Sequence, residues 1–384
     1  MAHFDRRQLA AGLAAAWLAP TPGFAQTGSL PARGPARLIL PSPIFPLPDR
    51  VPITVRSGER PHRRGSYRLE PEVIGTKFVV HNYGHGGGGI TMSQGCAAEV
   101  LSIVTANRAA LPDRRVAILG AGVMGMAVAT ALKKASMDVT LYSRAISPNT
   151  TSDVAGGQWA PSVVDHDDRA KYLRILRNSY QAFVAASDRY GVTPRDNYTF
   201  ESSDELEYAE LSGAAPAERM LRLPFERVTR GGWRYPTLLV EPPVYLGRMH
   251  RDLRSAGVAF QTRSFNSPEQ VLALPEPTII NCLGLGSRNV WADPALTGQK
   301  GVLAMLPPQR NLPYLYSGIG YLFPRRDHLV VGGSWEPEGA VDTHLTDTEK
   351  GQLIVKIVRA VFQGALPAPT WLSGTRRITA RDML

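Results

Sequence analysis

Two apolar runs bracket a glycine turn ahead of the middle of the chain, and this feature narrows the fold more than any other. Arg115-Val116-Ala117-Ile118-Leu119 reads as a buried strand, and Gly120-Ala121-Gly122-Val123-Met124-Gly125 leads into an alanine-rich helix. Asp138-Val139-Thr140-Leu141-Tyr142 reads as the next strand, completing a β-α-β unit. In such a unit Gly120 makes the tight turn, Gly122 lets a pyrophosphate approach the backbone, and Gly125 lets helix and strand pack closely. The phosphates would rest on the positive end of the helix. The spacing therefore predicts dinucleotide binding in an α/β fold. The acid expected at the end of the second strand, where it would hold the adenosine ribose, is missing, and Ser143 and Arg144 stand there instead. Arg144 either meets an adenine-side phosphate or ribose or stays a solvated surface arginine.

A second strand, glycine loop and helix precede this unit. Lys77-Phe78-Val79-Val80 is β-prone and runs into His81-Asn82-Tyr83-Gly84-His85-Gly86-Gly87-Gly88-Gly89, after which Ile90 to Asn107 has helical spacing. Further on, Leu173 to Leu221 mixes helical patterns with polar connections. Strands are expected around Val258-Ala259-Phe260 and at Thr278 to Cys282, with paired strands at Tyr321-Leu322-Phe323-Pro324 and His328 to Gly333. No internal repeat is evident. The expected architecture is a Rossmann-type dinucleotide domain interleaved with a β-rich substrate domain.

At 384 residues and 43% apolar content the chain can bury a full core. Its net charge of +10 comes from scattered Arg and Lys without a basic helix, finger, RRM or KH pattern, which argues against nucleic acid. The 2 cysteines, Cys96 and Cys282, lie in apolar stretches and read as buried free thiols. Arg6-Arg7 before the Ala/Leu-rich run Ala10 to Ala19, with Gly23-Phe24-Ala25 after it, reads as a signal peptide of the twin-arginine type, or as an ordinary secretory signal with a charged start. The run is too short to span a bilayer, which takes about 20 apolar residues. The expected organisation is a signal at 1–26, an extended Pro/Gly-rich arm at 27–52, and a catalytic unit at 53–384 in an exported protein. Within that unit, dinucleotide parts fall at about 73–165 and 270–300, and substrate parts at about 53–72, 166–269 and 301–384.

Several stretches resemble the D-amino-acid oxidase family. They are the His81 to Gly87 loop with Gly89-Ile90-Thr91 and Gly95-Cys96-Ala97, the stretch Asn149 to Trp159, Arg60-Pro61-His62-Arg63 with Arg68-Leu69-Glu70, Asn281 to Gly284, and Tyr321 to Arg325. The resemblance implies an FAD-binding Rossmann-type domain, non-covalent FAD, oxygen as acceptor, a D-amino acid as substrate, and room for a homodimer. It also implies that Arg60 anchors the substrate carboxylate with Tyr321 beside it, and that the Gly87 carbonyl accepts from the substrate amine. For the cofactor it implies Gly120, Gly122, Gly125, Arg144, Thr150, Thr151, Ser152, Gly157, Trp159, Ser264, Cys282 and Gly284, together with Gly86, Gly88, Gly89, Ile90 and Thr91. The helix beginning at Ile90 would aim its positive end at the flavin O2 edge, with the Thr91 hydroxyl donating there.

Two departures from the family stand out. Its arginine strand, His-Asn-Tyr-Gly-His loop and final helix close the chain, whereas here they precede Gly120, so the order is circularly permuted. A second active-site tyrosine also lacks a counterpart, because Tyr316 is displaced by one position and Ser317 stands at the matching spacing. That substitution bears on how the pocket closes.

Oxidation by direct hydride loss from a neutral amine needs no acid or base, so Asp165-His166-Asp167-Asp168 reads as a solvated loop. His81 and His85 have the spacing of helical metal ligands, yet the neighbouring glycines forbid a helix and no metal is expected. Three other readings share parts of the pattern. A glycine- or sarcosine-type amine oxidase would differ in pocket shape. A nicotinamide dehydrogenase is opposed by the Thr150-Thr151-Ser152 loop. A binding protein without turnover would yield no peroxide.

Overall fold

The computed structural model describes residues 38–46, 53–107, 109, 113–186, 188–200, 204–339 and 345–365. The signal segment, most of the arm and the last residues, 366–384, lie outside them. In chain order the unit runs β1 (Thr54–Arg63), β2 (Arg68–Ile74), β3 (Lys77–Tyr83), α1 (Gly89–Ala106), β4 (Arg115–Leu119), α2 (Val123–Lys134), β5 (Asp138–Ser143) and α3 (Arg169–Ala186). There follow β6 (Val192–Thr199), α4 (Asp204–Leu211), β7 (Glu218–Met220), β8 (Gly232–Val240), α5 (Pro242–Ser255), β9 (Ala259–Thr262), α6 (Pro268–Leu272) and β10 (Thr278–Asn281). The last elements are α7 (Gly286–Val290), β11 (Leu296–Leu306), β12 (Tyr314–Gly318), β13 (Gly320–Pro324), β14 (Leu329–Gly332), β15 (Glu336–Pro337) and α8 (Asp347–Phe362).

One sheet has the order β2-β3-β10-β4-β5-β9 and is parallel apart from the β2-β3 hairpin. Its central strands are apolar along their length because helices cover one face and a smaller apolar cluster the other. β3 and β4 both lie parallel to β10, one on each side, so the glycine turns that follow β3 and β4 open at the same end of the sheet. Such ends are where open α/β sheets bind ligands. α1 packs against both α2 and α3. A Cβ on Gly95 would stand 1.9 Å from the Ile175 carbonyl oxygen, so α1 and α3 touch backbone to backbone there.

The second sheet has the order β1-β11-β14-β13-β12-β6-β8-β7, with β15 beside β11. α8 covers one face through Ile354, Val355, Val358 and Phe362, and Leu239, Leu303, Leu315 and Phe323 belong to the other. Residues 39–46 cross this sheet: Leu40 bridges to Phe225, and the Tyr314 hydroxyl donates to the Pro41 carbonyl at 2.8 Å.

Two boundaries differ from the expectation. β2, placed among the substrate parts, belongs to the dinucleotide sheet because a tight turn at Gly75 folds it onto β3; β9 joins the same sheet beside β5. Within the stretch read as mixed helix, Val192–Thr199 is a central strand, since its polar residues Arg195 and Asp196 face partners on β8 instead of breaking the run. Among the described residues no helix is long and apolar enough to cross a membrane.

Candidate active site

A cleft of about 670 Å³ lies between the two sheets, within the range of small-molecule sites. Its first wall is the Gly120 turn. Gly120 has φ +102°, and a Cβ there would stand 2.4 Å from the Cys282 carbonyl oxygen. Gly122 caps α2 without a side chain, the first helical turn carries no acid, and the Val123 amide donates to Ser152 Oγ at 3.0 Å. A Cβ on Gly122 would come within 3.1 Å of that oxygen, so a side chain would fill the cradle. Ser143, in the position of the missing acid, accepts from the Ala121 amide at 3.2 Å and donates to the Ala145 carbonyl at 2.6 Å. The residue that would have held a ribose here holds the turn. Arg144 is exposed and lines the cleft.

The loop after β5 is fixed by Asp153, which the sequence reading passed over. Its carboxylate is buried and accepts from the Thr150 hydroxyl at 2.7 Å, the Thr150 amide at 2.9 Å and Ser147 Oγ at 2.6 Å. Thr150, Thr151 and Ser152 line the cleft as expected positions do. Downstream, the Val240 amide donates to the Gly157 carbonyl at 2.6 Å and the Trp159 amide to that of Leu238 at 2.8 Å, clamping the segment to β8.

The loop after β3 forms a second wall. A Cβ on Gly86 would lie 2.0 Å from the Val163 carbonyl oxygen, and one on Gly87 would lie 2.6 Å from that of Ser162. The Gly87 amide donates to the Val163 carbonyl at 3.3 Å. Val163 itself has φ +54°, a costly conformation for a β-branched residue, which turns that carbonyl toward the glycines. Behind the loop, burial holds His85 neutral, its pKa down at about 3, between the stacked ring of Tyr67 and Cys96 Sγ, 3.4 Å away. Burial, reinforced by the Arg68 charge, lowers His81 to about 4 despite its contact with Glu72. His81 Nδ1 meets Asn281 Nδ2, and Asn281 Oδ1 in turn accepts from the Leu283 amide and Ser287 Oγ, securing the turn that carries Gly284.

The floor is the second sheet. Arg60 lies on β1 with its guanidinium flat over Gly301 of β11: a Cβ there would meet Nη2 at 2.4 Å and Nη1 at 2.6 Å. Arg60 Nη1 is buried and has no hydrogen-bond partner. The Tyr321 ring lies over Gly332 in the same way and stacks on Phe323 at 4.5 Å. Two glycines on neighbouring strands thus make room for the two side chains. Other arginines near by are already engaged, Arg63 with Asp293 at 2.8 Å and Arg325 with Asp327 at 2.8 Å, and neither lines the cleft.

Most expected site residues share this cleft: Arg60, Tyr321, Gly86, Gly87, Gly89, Ile90, Thr91, Gly120, Gly122, Arg144, Gly157, Ser264, Cys282 and Gly284. Three do not line it. Trp159 is fully buried against Tyr180, because the chain alternates along its clamp to β8. Gly125 packs on the Gly120 carbonyl, where a Cβ would stand 1.8 Å away, and Gly88 packs on Val164. Thr91 lines the cleft, but its hydroxyl donates to the Ala160 carbonyl at 2.7 Å and accepts the Ala160 amide at 3.0 Å, so it is not a donor to a ligand. The buried, unpaired Asn82 Oδ1 is a cleft acceptor that the sequence reading did not single out. Among the described residues no group of His, Cys, Asp and Glu is arranged to hold a metal. Asp165 and Asp167 fasten the β1-β2 turn, through His62 and Ser66.

A glycine cradle at an acid-free helix end, next to a buried unpaired acceptor and a half-buried arginine with one buried, unpaired nitrogen, suits a dinucleotide with an anionic substrate alongside. The family model described as "FAD dependent oxidoreductase" (DAO) matches residues 115–384. The D-amino-acid oxidase of Streptomyces coelicolor is 28% identical over 239 residues, 59% of this chain and 71% of that protein. The D-aspartate oxidase of Homo sapiens is 25% identical over 240 residues, covering 57% and 68%. The solved structure of glycine oxidase from Bacillus cereus aligns with a TM-score of 0.47 at 15% identity, covering 65% of this chain and 77% of that one.

Proposed function

Because the chain belongs to the DAO family of FAD-dependent oxidoreductases, its cofactor is FAD, and we propose that it oxidises D-amino acids with oxygen as acceptor. One amino acid, one O2 and one water give a 2-oxo acid, ammonia and hydrogen peroxide. FAD, held by the Gly120 turn and the Thr150 to Ser152 loop, would supply the hydride acceptor for oxidation at the substrate Cα. The protein supplies position. Arg60 receives the carboxylate through two parallel charge-assisted bonds and so fixes which face of Cα is presented. The Gly87 carbonyl accepts from the amine, and Tyr321 shapes the carboxylate end. The N-terminus of α1, with no acid in its first turn, offers its positive end to the cleft.

The observation that carries this reading is the buried, partnerless Arg60 Nη1. A guanidinium nitrogen taken from water without a partner is costly, and a carboxylate relieves it. The test is a visible spectrum of the purified protein, followed by a panel of D- and L-amino acids with peroxide readout. A yellow protein making peroxide from D-amino acids is expected; peroxide from L-amino acids alone would refute the proposal.

We also infer that the order of elements is a circular permutation of the family's. Three features support it: the match begins at residue 115, the segment before it supplies Arg60 and Gly87 to the same cleft as Gly120, and α8 packs on β1. A chain with residues 53–112 moved behind residue 384 should still bind FAD; an apoprotein that folds but takes up no flavin would count against it. Export by the twin-arginine route is our reading of Arg6-Arg7 and the following apolar run. Changing both arginines to lysine should leave the protein in the cytoplasmic fraction, and unchanged export would refute that route.

A further inference from the structure

β3, β10 and β4 lie side by side and parallel, with Asn281 of β10 level with His81 on one side and Leu119 on the other. The next row along these strand ends is therefore Asn82, Cys282 and Gly120, and all three line the cleft. The row is continuous. A Cβ on Gly120 would stand 2.4 Å from the Cys282 carbonyl oxygen, the Cys282 amide donates to the Leu119 carbonyl at 2.9 Å, and Asn82 Nδ2 donates to Cys282 Sγ at 3.6 Å. Asn82 is fully buried, yet its Oδ1 has no hydrogen-bond partner. Its chain neighbours do not supply one: His81 and Tyr83 alternate to the other face of the sheet, where they meet Glu72 and Asp293. A primary amide oxygen is a strong acceptor and is costly to bury without a donor, so the position suits a donor that arrives with a ligand.

We infer that Asn82 is a positioning residue for the cofactor, and that its Oδ1 accepts a hydrogen bond from a hydroxyl of the ribityl chain of FAD. The order along the strand ends selects that part of the molecule. The Gly120 to Gly122 turn follows β4 and suits the pyrophosphate, whereas the Gly86 to Gly89 loop follows β3 and stands where α1 begins. A flavin dinucleotide that reaches from one to the other crosses the Asn82 row with its middle, a chain of hydroxylated carbons. A hydroxyl donates where a phosphate oxygen cannot, which matches an acceptor that has no donor of its own. The ring's place at the Gly87 loop is taken from the proposed function, but nothing in this placement depends on which amino acid is oxidised.

The test uses the full chain, stripped of flavin and reloaded, with Asn82→Leu beside the parent. FAD binding is followed by quenching of flavin fluorescence with no amino acid present, and apoprotein stability by urea unfolding. Leucine has nearly the volume of the amide and no acceptor. The variant apoprotein should therefore unfold at the parent's urea midpoint or above it, while its affinity for FAD falls about tenfold. FAD analogues with each ribityl hydroxyl in turn replaced by hydrogen identify the donor. One of them should bind the parent about tenfold more weakly than FAD does, and bind Asn82→Leu as well as FAD does. If the leucine variant fails to fold, the same ratios in Asn82→Ala decide. Unchanged FAD affinity in a folded variant with a less stable apoprotein would mean that water or the protein satisfies Oδ1, and would overturn the inference. So would a variant that still discriminates against the same analogue, or a parent that discriminates against none. Each of these failures leaves D-amino-acid oxidation standing, and a protein that binds FAD as described but turns over no D-amino acid leaves Asn82 in place and overturns only the reaction.

Discussion

Gly301→Ala should displace Arg60, the proposed substrate anchor, while leaving that residue itself unchanged. The position has no positive φ, so alanine fits the backbone, but its methyl would stand 2.4 Å from Arg60 Nη2 and 2.7 Å from Cζ. Ordinary contact begins near 3.4 Å, so the guanidinium has to lift by about 1 Å, and a misplacement of that size costs roughly 100-fold in an oriented reaction. That corresponds to about 2.7 kcal/mol of transition-state stabilisation. The moving atoms are the far end of a flexible side chain, so the melting temperature and flavin content should stay near the parent's. Steady-state peroxide formation across a substrate series gives kcat/KM, and an anaerobic titration gives binding. A variant within twofold of the parent in kcat/KM would refute the placement of the Arg60 guanidinium over Gly301 as the anchor for the carboxylate.

Arg60→Ala should lower kcat/KM by about 2–4 kcal/mol in transition-state terms and leave the flavin spectrum intact; unimpaired turnover would pass the role to another residue. Gly125→Ala should abolish FAD uptake, because its methyl would meet the Gly120 carbonyl at 1.8 Å, and a yellow variant would contradict that packing. Thr91→Val should cost roughly 1–3 kcal/mol in urea unfolding by orphaning the buried Ala160 amide and carbonyl, with little change in kcat. His85 and His81 are held at about 3 and about 4, below the ordinary histidine value near 6.5, so between those limits the unfolded chain binds protons that the folded one does not. Stability should therefore fall as pH drops from 6.5 toward 4, by up to about 1.4 kcal/mol per pH unit for each histidine, and His85→Asn should flatten the slope measured by urea unfolding at pH 7 and pH 5.

The glycine turn and its two strands were legible because apolar runs and glycine spacing are local. The same holds for the loop after β3, marked by a glycine run between an apolar strand and a helical pattern. What stayed hidden depends on partners far away in sequence. Nothing around Gly301 or Gly332 marks either as the seat of an arginine or a tyrosine, because the reason lies on another strand. Trp159 stands among the residues the resemblance implies for the cofactor, yet the clamp to β8 turns it into the core. Thr91 was read as a ligand donor, and a loop 69 residues away takes its hydroxyl. Asp153 gave no signal beyond a local Thr-x-x-Asp spacing that a capping scan would have caught.

The pairing of β1 with β11 joins Arg60 to Gln299 and Gly58 to Gly301. During synthesis the arginine strand emerges early and waits for a partner more than two hundred residues later, while the Gly120 turn can close early on β5, the next strand in the chain, before β10 arrives on its other side. Long-range pairings of this kind are slow and leave a strand edge open meanwhile. The cofactor-binding turn should thus be shaped before the substrate floor exists, so the nascent chain passes through a stage with an incomplete pocket and an unprotected β1 edge. Mutations that slow formation of β11 would then show themselves as aggregation and low yield rather than as a change in the chemistry of the molecules that do finish folding.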